Sequence, residues 1–119
     1  MAAGPVLVIG LDPVRIPGWD PQPVVAAIAR GQAALRDRDV EADWCLVAPD
    51  ENPEEAIVDA LTRRRYACVV VGGGIRTYEP LLALFETVVN LVRQHNPGAA
   101  IAFNSSPEDT VDAALRWLR

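Results

Sequence analysis

Cys68-Val69-Val70-Val71-Gly72-Gly73-Gly74-Ile75-Arg76-Thr77 is the stretch whose reading decides the fold. An unbroken apolar run that is mostly β-branched suits a strand covered on both faces, because a strand with one wet side alternates apolar and polar residues. The three glycines end the strand abruptly and pass the chain to a helix. A second stretch has the same form, Val6-Leu7-Val8-Ile9 closing on Gly10-Leu11-Asp12-Pro13. Trp44 to Ala48 and Ala99 to Phe103 supply two further strands, less purely β-branched and therefore expected at the edges.

Helices fill the intervals. Three of them are expected to begin with a side-chain cap and a proline, at Asp20-Pro21, Asn52-Pro53 and Ser106-Pro107, and the remaining one at Thr77. Glu54-Glu55 and Glu108-Asp109 then fall in first turns, where the helix dipole favours acids. Helical spacing places Val24, Ile28, Gly31 and Leu35 on the inward face of the first helix, the glycine allowing close approach to the sheet. The helix after Thr77 carries a broad apolar arc, Leu81, Leu82, Leu84, Phe85, Val88, Val89, Leu91 and Val92, wider than one sheet contact needs and so a candidate subunit interface. The last helix turns Val111, Ala114, Leu115 and Leu118 inward. Trp117 projects off that face, toward a partner or along its own domain.

Right-handed crossovers with the two most apolar strands at the centre give a mostly parallel sheet of order 2-1-3-4 between two helical layers. This α/β three-layer sandwich resembles flavodoxin-like and Rossmann-like arrangements with one strand fewer. The alternation also resembles phospho-acceptor receiver domains, but glycines stand where their third strand carries the phosphorylated aspartate, and the chain has no lysine. Sugar-transport phosphocarrier domains and low-molecular-weight phosphatases of similar layout need a cysteine in the first loop, which has none. Flavodoxins hold the flavin phosphate with hydroxyls after the first strand, and Asp12-Pro13-Val14-Arg15 offers nothing comparable.

With 119 residues, half of them apolar, residues 1–119 are expected to form a single domain. The formal net charge of −5 lacks the footprint of a nucleic-acid binder. The one basic cluster, Arg63-Arg64-Arg65, ends a helix, where it would complement the dipole. Met1-Ala2-Ala3-Gly4 carries no positive charge ahead of a short apolar run, unlike a secretory signal, and no apolar stretch is long enough to cross a bilayer. Cys45 and Cys68 sit singly inside apolar runs and read as small buried hydrophobes in a reducing compartment. The expectation is a soluble, cytoplasmic protein with no membrane or nucleic-acid partner.

In an open parallel sheet, ligands bind beyond the carboxyl ends of the strands, where the chain reverses direction between the first and third. The expected ligand-binding residues there are Asp12, Arg15, Gly72, Gly73, Gly74, Arg76, Asn104 and Ser105. Glycines would bring backbone amides to a ligand while Arg15 and Arg76 supply positive charge; the competing reading of the glycines is a tight turn needing positive φ. Asp12, Asp20, Asp50, Glu51, Glu54, Glu79, Glu108 and Asp109 crowd the same rim with negative charge and oppose a phosphate. Asp12 with Asp50 or Asn104 offers oxygen ligands for magnesium, yet the spacing has no metal signature, and solvated carboxylates are the simpler reading, so no metal site and no cofactor is assigned. Ser105 and Ser106 follow the fourth strand without a histidine to activate them, and the single histidine, His95, falls at the far end of the sheet. The loop from Asp12 to Asp20 is long enough to cover the site, with Trp19 either stacking on a ring or closing the loop.

Two functional readings result. One is a domain binding a small polar or anionic ligand at the carboxyl ends of the strands, with catalysis left open. The alternative is a non-catalytic homo-oligomeric or protein-interaction module, a homodimer in its simplest form.

Overall fold

A computed structural model of the chain describes residues 3–118; Met1 and Ala2, part of the amino-terminal segment read above, lie outside the described residues. Four strands, β1 (Ala3–Leu11), β2 (Val40–Val47), β3 (Cys68–Val71) and β4 (Ala100–Phe103), form an all-parallel sheet of order β2-β1-β3-β4. Ile9 is the register partner of Cys45 on one side and of Val71 on the other. The expected three-layer sandwich and strand order are the observed ones.

Every residue of β3 is completely buried, as continuous apolar runs predict for an inner strand. Its side chains alternate between two cores. Val69 and Val71 join Leu7 and Ile9 beneath α2 (Pro53–Arg63) and the later α4 (Leu82–His95). Cys68 and Val70 join Val6 and Val8 beneath α1 (Gln22–Asp37) and α5 (Thr110–Leu115). The helical layers thus take opposite faces, α1 and α5 on one, α2 and α4 on the other. Both cysteines are free, with Cys68 fully buried and Cys45 partly so.

The strand β2 begins at Val40, earlier than its apolar residues suggest, and takes Glu41 and Asp43 into the sheet. The cause lies across the sheet face: Arg64 donates to Glu41 (3.1 Å) and Asp43 (3.3 Å). Arg64 therefore pairs with β2 instead of capping α2. The capping falls to Asn96, which is 5% exposed; its Nδ2 donates to the carbonyls of Leu61 and Arg64, both at 2.9 Å, and its Oδ1 accepts from the Tyr66 amide at 3.1 Å. One buried carboxamide thereby ties the end of α2, the approach to β3 and the end of α4.

Helix starts depart from expectation at two places. Asn52 takes a left-handed conformation (φ 50°, ψ 54°) and makes no side-chain cap. After β3 the chain makes a one-turn helix α3 (Gly73–Thr77), a 3-10 turn (Glu79–Leu81) and only then α4, because Pro80 lacks the amide a continuous helix would need. Asp20 accepts from the Gln22 amide (3.1 Å) at the start of α1. Within the broad arc of α4, Val88, Leu91 and Val92 are buried, Leu84 and Phe85 pack at the edge of that core, and α4 also lies against α2, while Leu82 is exposed.

Gly31 has a different neighbour from the one expected. A Cβ there would lie 2.2 Å from the carbonyl oxygen of Pro107, in the 3-10 turn Pro107–Asp109 before α5. The glycine therefore admits a crossing backbone, with the Trp44 ring further off at 3.7 Å. Gly31→Ala is expected to cost about 2 kcal/mol in urea unfolding, the range of an overpacked site.

The Tyr66 hydroxyl donates to Asp43 (2.8 Å), and burial, then that bond and the carboxylate's charge, push its pKa from 10.0 up to about 12. Between those values the unfolded chain releases the phenolic proton while the folded protein keeps it, so stability declines as pH rises through that window. Tyr66→Phe is expected to flatten this alkaline decline, measured by denaturant midpoints across the window.

Candidate functional site

A cleft of about 550 Å³ opens at the carboxyl ends of β1 and β3. It lies at the reversal point of strand order and within the range of roughly 300–1,000 Å³ usual for small-molecule sites. It then runs down the α1 face of the sheet. There Val8, Gly10, Trp44 and Leu46 form one wall, and Val24 and Ile28 of α1 the other. The first half of α1 consequently faces a space where its inward pattern suggested direct contact with the sheet.

Of the expected binding residues, Gly72, Gly73, Gly74, Asn104 and Ser105 line the cleft. None of the three glycines has positive φ; among the described residues the only glycines that do are Gly4 and Gly18. The sequence Gly72-Gly73-Gly74 is used for proximity. A Cβ on Gly73 would sit 3.2 Å from the Ser105 carbonyl oxygen, and one on Gly72 would sit 3.3 Å from Gly10 Cα. Neighbouring strand ends can close only over bare backbone.

Asn104, 5% exposed, fastens this junction. Its Oδ1 accepts from the Gly73 amide (2.9 Å), and its Nδ2 donates to the Thr110 hydroxyl (2.9 Å), which in turn donates to the Pro107 carbonyl (2.7 Å). The carboxamide joins the turn after β3 to the turn after β4. The amide that a phosphate would have sought at Gly73 is already bonded within the protein.

Asp12, Arg15 and Arg76 are not among the lining residues. Asp12 accepts from the Val14 amide (3.0 Å) and from Arg15 Nε (2.9 Å). Arg15 extends to Glu51 (3.4 Å) and to the Leu46 carbonyl (2.8 Å), pinning the 3-10 turn Pro13–Arg15 to the end of β2. Arg76 donates through Nη2 to the Asn104 carbonyl (2.6 Å) and lies over the Phe103 ring at 5.9 Å, while its Nε is buried without a hydrogen-bond partner. Both cations are thus drawn into structural contacts.

Most of the expected acidic rim is also outside the cleft. Glu108 pairs with Arg30 (2.8 Å). Burial opposes ionisation of Asp109, but hydrogen bonds from the Ser105 hydroxyl and from the Ser106 and Ser105 amides, with Arg116 nearby, outweigh it and hold the carboxyl below its usual range. The Ser105 hydroxyl is a donor to Asp109. Among the described residues no group of three or more His, Cys, Asp or Glu side chains could hold a metal ion. Asp20 is the one charged residue among those that line the cleft.

Three aromatic residues complete the lining: Trp44, partly buried on β2, and Trp19 and Tyr78, 63% and 51% exposed. Trp19 does not close its loop by burying itself against the sheet. Trp44 and Leu46 were detectable by parity, since alternate residues of a strand share a face and the register brings both alongside the α1 face of β1. Tyr78 and Leu81 carried no such signal, because their placement depends on the break before α4. Comparison with family models finds no match, and comparison with curated proteins finds none either.

Removing the Asn104 carboxamide strands the Gly73 amide, so Asn104→Ala is expected to lower unfolding free energy by about 2 kcal/mol. Arg15→Ala, whose contacts are all exposed, should lower the denaturant midpoint far less than Asn104→Ala in the same experiment.

Proposed function

We propose that this chain is a small-ligand binding domain that holds a molecule with an apolar body in the cleft beyond β1 and β3. The observation that carries the reading is the cleft itself, preformed at the reversal point and walled by apolar and aromatic side chains with few polar groups. This narrows the expected polar or anionic ligand. Arg15 and Arg76 are committed elsewhere, and burying a phosphate or carboxylate among Val8, Leu46 and Ile28 would carry an uncompensated desolvation cost.

The homodimer remains a second reading on different grounds. The outer edge of β4 has no strand partner in the described sheet, and Phe103 (40% exposed) stands there. Trp117 (50% exposed) follows the Arg116 that donates to the Phe103 carbonyl at 3.0 Å. Open edges with exposed aromatic residues suit association.

Titration of the labelled protein with neutral one- and two-ring fragments tests the first reading. Saturable chemical-shift changes are expected at the Trp19 and Trp44 indoles and the Gly10 and Gly73 amides, and should be lost in Ile28→Trp, which fills the cleft. Failure of every fragment to perturb these groups would sink the binding reading. Light scattering that finds a monomer at all concentrations, unchanged by Trp117→Ala, would remove the dimer.

A further inference from the structure

We propose that the ligand is an organic cation, an amine or quaternary ammonium on an apolar body, seated between Trp19 and Tyr78 with Asp20 as its counter-charge. This rests on the binding reading above and adds the sign of the ligand's charge. Trp19 and Tyr78 belong to the connections after β1 and β3, which leave the sheet toward opposite faces, and both line the cleft while remaining largely exposed. Their faces are uncommitted. The only aromatic pair among the described residues is Phe85–Phe103, and the only arginines over rings are Arg64 on Tyr66 and Arg76 on Phe103. A cation placed over such a face is drawn to the negative side of the ring quadrupole.

Asp20 adds a full charge of the matching sign. One carboxylate oxygen accepts the Gln22 amide, and no cation pairs with the side chain among the described residues. The wider field agrees. Arg15 is matched by Asp12 and Glu51, Arg76 is turned to the Asn104 carbonyl, and the chain as a whole carries −5. Neither Arg15 nor Arg76 lines the mouth, so an anion approaching it meets the Asp20 carboxylate and no lining guanidinium. A cation meets aromatic faces, one carboxylate and, deeper in, the apolar walls at Trp44 and Ile28 that an alkyl or aryl body would cover.

Three probes of one shape separate charge from burial: phenethylamine, 2-phenylethanol and phenylacetate, titrated into the full chain at low salt and followed by chemical shifts and calorimetry. The amine is expected to bind about fivefold more tightly than the alcohol and phenylacetate most weakly, the scale of an exposed ion pair with a cation–π contact. Added salt should shrink the difference. Asp20→Asn keeps an acceptor for the Gln22 amide, so the helix start survives; it should remove most of the amine's advantage over the alcohol. Trp19→Ala should weaken the amine more than the alcohol. Equal binding of amine and alcohol, or tighter binding of phenylacetate, would overturn the cation while leaving the small-ligand reading intact. Silence from all three would also overturn it, and the neutral fragments would then decide the binding reading independently.

Discussion

The rest of the structure depends on β3 having no solvent-facing side. Its four residues are fully buried, so helices must cover both faces of the sheet, and parallel neighbours can be reached only by crossovers. β1 connects outward to β2 and β3 outward to β4, so right-handed crossovers take the chain from these adjacent strands toward opposite faces. Two connections departing in opposite directions leave a gap between them. The cleft is that gap, and its position follows from strand order and crossover handedness before any residue is chosen to line it.

Two buried asparagines fix the ends of this arrangement. At the amino ends of the strands, Asn96 satisfies an amide and two carbonyls left over where α2, β3 and α4 meet. At the carboxyl ends, Asn104 holds the turn after β3 to the turn after β4. A carboxamide suits both places because it donates and accepts at once and carries no charge to desolvate. Arginines do related work at the periphery, Arg15 at the end of β2 and Arg64 across its face, where water can reach them.

Strand order, both layers and the place of the cleft were legible in the sequence, because Val6 to Ile9 and Cys68 to Val71 announce two-sided burial by residue type alone. The character of the cleft was not. Arg15 and Arg76 look like anion ligands until their acceptors, the Leu46 and Asn104 carbonyls, are known, and those are brought near only by the fold. Asn104 looked like a ligand contact, since a side chain that satisfies distant backbone leaves no periodic trace. Glycines 72 to 74 were ambiguous for a related reason: close approach and positive φ select the same residue, and only coordinates separate them.

The crossing of α1 over Pro107 at Gly31 divides that helix into two parts with different obligations. Downstream, Leu35 is locked into the core; upstream, Val24 and Ile28 border the cleft and support no other layer. Changes in side-chain size at Val24 and Ile28 alter the volume of the cleft. On the proposed binding reading, ligand choice would be set along the first turns of one helix while Leu35, beyond the crossing, serves the core.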